Sequence, residues 1–220
     1  MHKFLNYYSS EVGRYGGIHA YVTAKAKEKH ALLSRVQSHA TITGRVLEAG
    51  CGSGANLIHL ANQSLIATGV DNDPVMLEFA EKNATSFVKK PIFVKADIKE
   101  LPYDNLYFDV TFSHGVLEHF TDDEIVNLLN KELHISRYVI LSVPSDFFKQ
   151  NQAINGDERF LPASHWEKLI EQSNGVLKES FVYFYDSNEL RMRLLKALDM
   201  LTFGLLPRKK PYIGFVVRHE

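Results

Sequence analysis

Residues 45–54 read RVLEAGCGSG, an apolar run followed by glycines at every second position. The apolar run predicts a short buried strand over 45–49, and the next residues predict a helix over 55–62. Glycines let the backbone turn sharply and approach a ligand without a clash from a Cβ atom. The start of a helix offers unpaired N–H groups to an anion. This stretch therefore predicts either a tight strand-to-helix turn or a loop that cradles a ligand.

Segments typical of strands and of helices alternate along the rest of the chain. Six further strands are predicted, at 65–70, 91–95, 107–113, 135–143, 176–185 and 212–218. Apolar strands that are separated by amphipathic helices indicate a mainly parallel sheet covered on both faces. We therefore predict a doubly wound α/β fold with a mostly parallel seven-stranded sheet, in a single domain over 1–220.

Several helix starts are predicted from residues that cap the first turn. Asp73 is a preferred N-cap residue, and Pro74 suits the first helical position. Two capping boxes, Thr121–Glu124 and Ser164–Glu167, predict the starts of two further helices.

Two helical segments are predicted outside the alternating pattern. The N-terminal segment covers 1–40, with a helix at 18–38. The second segment, 186–207, interrupts the last two strands at a place where a plain hairpin would suffice. Its leucines recur at three- and four-residue steps, as on one face of an amphipathic helix: Leu190, Leu194, Leu198 and Leu201.

The composition argues against several classes of protein. The formal net charge is −1, so no overall field favours nucleic acid or an anionic membrane. The single cysteine, Cys51, permits no internal disulfide, and the ten histidines lack the spacing of a zinc motif, so no metal is expected. No apolar run has the form of a signal peptide or the length of a transmembrane segment. We therefore expect a cytoplasmic protein.

An acidic residue follows the second strand. Asp71 lies 21 residues after Gly50, and a carboxylate at this place can accept two hydrogen bonds from a ribose diol. The glycines, Ala55 and Asp71 also fit the looser fingerprint of dinucleotide-binding proteins, so an NAD-dependent oxidoreductase is an alternative at this point. Simple capping of the turn before Asp73 is the other alternative.

Polar residues also follow the third and fourth strands. The carboxylate of Asp97 can accept a hydrogen bond from an exocyclic adenine amine, and Ile98 can pack on the ring. The fourth strand ends at Ser113 and His114, on the same edge of the sheet as the glycines. This strand end can receive an ammonium or a substrate group.

Four segments together resemble the class I S-adenosylmethionine-dependent methyltransferases, whose fold is Rossmann-like. They are VLEAGCGSGAN (46–56), GVDNDPVML (69–77), KADIKELPY (95–103) and FDVTFSHGVLEHF (108–120). Within the class, they are similar to the small-molecule subgroup of ubiquinone/menaquinone-biosynthesis-like enzymes. Nicotinamide enzymes do not usually carry the last two segments. The fourth strand lacks the Asn/Asp-Pro-Pro-aromatic motif of nucleic-acid and protein-amide N-methyltransferases, which implies that nucleic acid is not a partner.

The resemblance implies S-adenosylmethionine as the cofactor and S-adenosylhomocysteine as the product. Gly50, Gly52 and Gly54 would surround its methionine part, with Glu48 ordering that loop. Asp71 would hold the ribose hydroxyls. The other implied contacts are Asn72 and Met76 in the adenosine pocket, Asp97 and Ile98 at adenine, and Ser113 and His114 beside the methionine amine and the methyl group.

Two histidines are candidate catalytic residues. His119 and His114 follow the fourth strand, and histidine, with a pKa of about 6.5, can accept a proton from a hydroxyl or an amine. The alternative is a structural role for each. In similar enzymes, N-terminal segments and insertions before the last strand commonly build the acceptor pocket. The resemblance thus predicts a small helical cap at 186–207, and four acceptor contacts: Tyr15, His19, Met200 and Phe203.

The predicted function is transfer of the methyl group of S-adenosylmethionine to an O or N atom of a small, partly apolar molecule, by a monomer or a homodimer. An NAD-dependent oxidoreductase and a non-catalytic S-adenosylmethionine-binding module are the alternatives. For the helix at 186–207, packing on the sheet, a dimer contact and a membrane-surface contact are alternatives to the cap. The sequence leaves open the acceptor and the need for a general base.

Overall fold

The computed structural model describes residues 3–152, 156–183 and 211–220, together with residues 194, 197–198 and 200–201. Its strands are β1 (Arg45–Ala49), β2 (Ile66–Asp71), β3 (Ile92–Lys95), β4 (Phe108–His114), β5 (Ser136–Pro144), β6 (Gly175–Tyr183) and β7 (Tyr212–His219). Its α-helices are α1 (Lys3–Arg14), α2 (Ile18–Glu28), α3 (His30–His39), α4 (Ala55–Asn62), α5 (Pro74–Ala84), α6 (Asp122–Ile135) and α7 (Ala163–Glu171). Leu117–His119 and Gln150–Gln152 are short 3-10 helices.

All seven strands belong to one sheet, in the order β3-β2-β1-β4-β5-β7-β6. The first five strands are parallel, and β7 runs antiparallel to both β5 and β6. The predicted mostly parallel, seven-stranded, doubly wound sheet is confirmed. Because the strand order reverses between β1 and β4, the carboxyl ends of these two strands border a crevice, which is where such folds bind ligands.

Helices cover both faces of the sheet, as predicted. Val46 and Leu47 are neighbours on β1, and both are fully buried. Val46 belongs to the apolar cluster that includes residues of α3 and α4. Leu47 belongs to the cluster that includes residues of α6 and α7. A strand buried on both faces needs apolar residues at successive positions, which explains why Val46 and Leu47 are both apolar.

The helix starts follow the capping residues at two of the three predicted places. Asp73 accepts a hydrogen bond from the Val75 N–H at 2.9 Å, with Pro74 as the first residue of α5. Thr121 and Glu124 form the full capping box of α6.

The second predicted capping box, Ser164–Glu167, is wrong. Helix α7 begins at Ala163, so Ser164 lies inside the first turn, and Pro162 is the N-cap residue without a side-chain hydrogen bond. The carbonyl of Pro162 accepts from the His165 N–H instead. Glu167 accepts a hydrogen bond from the Ser180 hydroxyl at 3.3 Å and so pairs with β6 rather than with the helix start.

The N-terminal segment is helical, but its helix at 18–38 is interrupted. Lys29 leaves the helical conformation, with φ −102° and ψ 22°, and separates α2 from α3. The interruption lets α2 pack on α4 while α3 packs on β4 and β5. A buried ammonium, that of Lys25, bonds Glu11 at 3.1 Å and Glu28 at 2.9 Å, and so joins α1 to α2.

Within the ranges that the structure describes, no helix is long and apolar enough to cross a membrane. Of the predicted insertion 186–207, the described residues are helical. Four of them expose large apolar side chains: Leu194, Leu198, Met200 and Leu201. Phe203 and most of the insertion lie outside the described residues, so the cap stays a prediction.

Candidate active site

The glycine loop, defined as residues 50–54, connects β1 to α4. Gly50 and Gly54 have φ values of +70° and +72°, in the left-handed region that favours glycine. A Cβ atom on Gly50 would lie 2.6 Å from a methyl carbon of Val116, and one on Gly54 would lie 2.8 Å from the ring of Phe93. The close packing and the backbone conformation therefore both require glycine at these two positions.

Asp71 is fixed beside this loop by the backbone. Its Oδ2 accepts from the Gly52 N–H at 3.0 Å, and its Oδ1 accepts from the Asp73 N–H at 3.1 Å. A carboxylate oxygen has capacity for more than one hydrogen bond. The half-buried carboxylate is therefore held at the end of β2 with acceptor capacity left for a ligand.

The inner side of the site holds buried polar atoms without partners. Glu48 is buried, and its Oε1 accepts from the amide of Asn56. Within the part of the chain that the structure describes, three buried atoms here make no hydrogen bond: Glu48 Oε2, Asn56 Oδ1 and Ser113 Oγ. Because most buried polar atoms are paired in native proteins, these atoms fit a site that receives a polar ligand.

Lys29, which the sequence did not suggest, brings a positive charge to this side. Burial lowers the pKa of Lys29 to about 8, and the carboxylate of Glu48 opposes that shift. Burial likewise raises the pKa of Glu48 to about 7, against the effect of Lys29 and of the Asn56 amide. In the sequence, Lys29 could have been found only from the break between the two helices. The amphipathic pattern of 18–38 does not reveal that break.

Two tyrosines of the N-terminal helices lie on the glycine loop. The hydroxyls of Tyr21 and Ser53 are 3.1 Å apart. The Tyr8 hydroxyl lies 3.2 Å from the position that a Cβ atom would take on Gly52. Burial raises the pKa of both tyrosines, which keeps their hydroxyls protonated. The N-terminal segment therefore covers the loop.

The predicted acceptor contacts in this segment have other partners. Tyr15 donates a hydrogen bond to Glu28 at 2.6 Å. The ring of His19 packs on the ring of Phe87, with centroids 4.4 Å apart. A role of Tyr15 and His19 toward an acceptor stays a prediction.

The predicted adenosine residues lie at the ends of β2 and β3, which are neighbours in the sheet. Asp71 and Lys95 are register partners, so the residues that follow them leave from the same edge. Met76 and Ile98 are buried, whereas Asn72 and Asp97 are exposed. Asp97 accepts from the Lys99 N–H at 2.8 Å, which fixes its carboxylate in a tight turn.

The end of β4 adjoins the glycine loop. Ser113 is the register partner of Ala49, the last residue of β1. The Nδ1 atom of His114 lies 3.2 Å from the Ser142 hydroxyl and 3.3 Å from the Tyr183 hydroxyl. Burial, aided by the charges of Lys29 and Lys25, holds the pKa of His114 well below its usual value. His114 is therefore a neutral imidazole at neutral pH.

An aromatic cluster surrounds His114. We define it as His114, Phe148, Phe160, Tyr183 and Tyr212. Tyr183 and Tyr212 stack with centroids 5.6 Å apart, and the ring of His114 lies 5.3 Å from that of Tyr212. Phe148 contacts Tyr212 at 5.8 Å and Phe160 at 5.6 Å. These rings come from β4, β6, β7 and the segment after β5, so no local sequence pattern connects them.

Glu118 lies in the short 3-10 helix that follows the carboxyl end of β4. Its side chain is buried, and Oε2 has no hydrogen-bond partner among the described residues. Its Oε1 lies 3.5 Å from the position that a Cβ atom would take on Gly115, next to His114. Burial raises the pKa of Glu118 to about 8, its own backbone N–H opposes the shift, and Glu158 and Asp157 add to it. In the sequence, no pattern distinguishes Glu118 from the other residues of the segment 108–120.

His119, the other candidate catalytic residue, contacts Asp157 rather than the aromatic cluster. Its Nδ1 atom lies 2.9 Å from Asp157 Oδ1. His119, Asp157 and Glu158 bring atoms of metal-ligand type within 4.8 Å of one another. Hydrogen bonding to Asp157 accounts for the position of the imidazole, so the trio does not by itself indicate an ion. The catalytic role of His119 and the absence of a metal both stay predictions.

Known proteins resemble this chain in sequence and in fold. Residues 46–135 match a family described as "Methyltransferase domain". The uncharacterized methyltransferase YodH of Bacillus subtilis is 36% identical over 73 residues, which are 33% of this chain and 31% of YodH. The uncharacterized protein RP028 of Rickettsia prowazekii is 32% identical over 184 residues, 79% of this chain and 65% of RP028. The chain thus spans less than two thirds of the length of these relatives.

Solved structures share the fold at low identity. Magnesium protoporphyrin IX methyltransferase from Synechocystis, with S-adenosylhomocysteine bound, matches with a TM-score of 0.66 and 14% identity over 90% of this chain and 84% of that enzyme.

The match to the methyltransferase-domain family covers the elements from β1 to α6, which carry the glycine loop, Asp71 and Ser113, and the whole sheet shares the fold of the Synechocystis methyltransferase.

Proposed function

We propose that the protein transfers the methyl group of S-adenosylmethionine to an O or N atom of a small, partly apolar molecule. One observation carries the proposal. The anchored Asp71 and the unpartnered buried atoms of Glu48 and Ser113 converge on one edge of the sheet, and the aromatic cluster lies beside them at the end of β4. Asp71, Glu48 and Ser113 suit a charged nucleoside, and the aromatic cluster suits an apolar acceptor.

The residues present fit the cofactor along its whole length. Asp71 would bind the ribose hydroxyls, and the unpartnered oxygens of Glu48 and Ser113 suit the methionine ammonium. Lys29 suits the methionine carboxylate, because it is half-buried and its charge acts on Glu48 at the inner side of the glycine loop. The remaining predicted contacts serve the adenosine part: Asn72, Met76, Asp97 and Ile98.

The protein has to align a nucleophile and exclude water. The bound cofactor would supply a methyl group on a sulfonium. As the nucleophile bonds to this methyl group, the C–S bond would break and its electron pair would stay on sulfur. The half-buried rings of Phe148 and Tyr212 offer apolar surface for the acceptor. Neutral His114 is available as a hydrogen-bond partner on the same side.

A small-molecule acceptor has support from the comparisons. The structurally similar Synechocystis enzyme is named for magnesium protoporphyrin IX, which is a small molecule. We further propose a single domain over 1–220 whose helical insertion at 186–207 caps the site, and a cytoplasmic monomer or homodimer without a nucleic-acid partner.

Isothermal calorimetry with three ligands tests this function. We expect S-adenosylmethionine and S-adenosylhomocysteine to bind to the same site, and NAD not to bind. The glycine loop and Asp71 alone are compatible with NAD and with S-adenosylmethionine. The measured binding of the three ligands therefore separates the two functions. Tight binding of NAD without a response to the other two ligands would exclude the methyltransferase function. Cofactor binding without turnover over a broad panel of acceptors would favour the non-catalytic module.

A further inference from the structure

We propose that the methyl acceptor is an amine, bound as its ammonium ion between Glu118 and the aromatic cluster. This inference rests on the proposed function, because it assigns the acceptor side of the same site. It selects nitrogen over oxygen as the methylated atom. It also assigns a role to a buried carboxyl group that neither the cofactor nor the fold explains.

Glu118 and the aromatic cluster share one neighbourhood. The Glu118 Oε1 atom lies 3.5 Å from the Cβ position of Gly115, which directly follows His114 on the chain. The ring of His114 packs on that of Tyr212. The negative charge of Glu118 contributes to the raised pKa values of Tyr183 and Tyr212. The carboxyl group therefore lies beside Gly115 and acts electrostatically on the rings of Tyr183 and Tyr212.

The charges around Glu118 favour a cationic ligand. Among the described residues, the charged groups that act on it are the acidic residues Glu158 and Asp157, and its own backbone N–H stabilises its charge. Arg159 donates its backbone N–H to the Glu118 carbonyl at 3.0 Å, but its guanidinium bonds Asp122 and the carbonyl of Phe120. Lys25 and Lys29 act on His114. Because a buried carboxylate is costly without a partner, an ammonium would supply the missing charge, and a neutral hydroxyl would not.

The rings suit the same ligand. Aromatic faces attract ammonium ions through the negative potential of the ring face. Phe148, Phe160 and Tyr212 are half-buried, so each keeps surface for contact with a ligand. Aromatic faces together with one carboxyl group suit an amine that carries an apolar or aromatic body.

Glu118 also suits the proton transfer that N-methylation requires. An ammonium has no lone pair, so it must lose a proton before the nitrogen can act as a nucleophile. Transfer to the Glu118 carboxylate breaks one N–H bond, forms one O–H bond and leaves the electron pair on nitrogen. The buried surroundings that raise the pKa of Glu118 also favour this transfer, because it converts a buried ion pair into two neutral groups.

Two probes of equal shape test the proposal in the unchanged protein. Phenethylamine and 2-phenylethanol differ only in the amine and the hydroxyl. We would titrate each into the complex with S-adenosylhomocysteine at neutral pH, by calorimetry in two buffers of different ionisation enthalpy. Phenethylamine should bind at least about tenfold more tightly than the alcohol. Its binding should release protons, because the ammonium ionises a Glu118 side chain that is mostly protonated beforehand.

Two variants assign the effect to Glu118. Glu118→Gln should abolish both the preference for the amine and the release of protons. Glu132→Gln is the matched control, because Glu132 is also a fully buried carboxyl that has no hydrogen-bond partner among the described residues but lies on α6. This control should keep both effects, and both variants should bind S-adenosylhomocysteine as the unchanged protein does.

Each other result contradicts the inference. Equal binding of the two probes, tighter binding of the alcohol or no binding of either would exclude an amine site, while binding of S-adenosylhomocysteine would leave the proposed function intact. A loss of affinity of Glu118→Gln for S-adenosylmethionine alone would assign the carboxylate to the sulfonium and overturn the inference. The probe comparison in the unchanged protein remains decisive even if Glu118→Gln fails to fold.

Discussion

Lys29 and Glu48 place opposite charges on the inner side of the glycine loop, one from the junction of α2 and α3 and one from β1. Burial lowers the pKa of Lys29 and raises that of Glu48, and each group opposes the shift of the other. The N-terminal helices therefore cover the site and also contribute the charge of Lys29 to it. Neither residue would be stable as an ion at this place without the other or a ligand.

Lys29→Met should weaken binding of S-adenosylhomocysteine by about 1.5–3 kcal/mol, the usual effect of a lost hydrogen bond to a charged group. The binding of 5′-methylthioadenosine, which lacks the amino-acid part, should not change. Lys27→Met is the control, because Lys27 is exposed on α2. Calorimetry with both ligands measures the difference. An equal loss for the two ligands would show that Lys29 supports the fold of the site rather than the carboxylate.

Asp71→Ala should weaken cofactor binding by on the order of 1–3 kcal/mol, because charge-assisted hydrogen bonds to the ribose are lost. The substitution also removes acceptors for the N–H groups of Gly52 and Asp73, so thermal unfolding should be measured alongside calorimetry. Asp104→Ala serves as the control at an exposed aspartate. An unchanged dissociation constant in folded Asp71→Ala protein would remove Asp71 from the site.

Gly52→Val should abolish cofactor binding. The φ of Gly52 is +49°, which a branched side chain rarely adopts, and its Cβ atom would crowd the Tyr8 hydroxyl at 3.2 Å. Gly156→Val is the matched control, because Gly156 has a φ of +91° and open space around its Cβ position. Both variants carry backbone strain, but only the first should lose binding. Retained affinity in Gly52→Val would contradict a ligand site at this loop.

Glu132 should make the protein less stable as the pH rises. Burial raises the pKa of Glu132 to about 8 from an ordinary value of 4.5. Between these values the folded state binds more protons at this group than the unfolded state does, so its contribution to stability is present below pH 4.5 and is lost as the pH rises through 8.

Glu132→Gln should reduce the fall of the unfolding free energy with pH, by up to about 1.4 kcal/mol per pH unit. Urea unfolding across this range measures the slope. Exposed Glu100→Gln is the control and should leave the slope unchanged. A slope that is identical in Glu132→Gln and the unchanged protein would show that Glu132 ionises normally.

The sequence predicts the sheet well because its strands are buried on both faces. The adjacent apolar residues of β1 and of β5 are visible in the local sequence, and so is the capping box of Thr121. The box at Ser164 failed because Pro162 ends the preceding extended segment and starts the helix earlier. The position of this helix start depends on the backbone conformation, which the spacing of residues does not reveal.

The proposed cofactor side of the site is easier to find in the sequence than the proposed acceptor side. Its residues follow strand ends in one order along the chain, from Glu48 to His114. Lys29, Glu118 and Tyr212 lack such a pattern, because burial in the folded protein creates their chemistry. A lysine at a helix break or a glutamate after a strand looks ordinary until the fold removes water from it.

The place of β7 in the sheet has a consequence for synthesis on the ribosome. β7 follows β6 in the chain but lies between β5 and β6 in the sheet. Until β7 emerges, β5 presents an open edge of unpaired N–H and C=O groups, and β6 has no strand to join. Open edges of this kind recruit strands from other chains. The nascent protein is therefore most prone to aggregate in the interval between the synthesis of β6 and that of β7, when chaperone binding would protect it most.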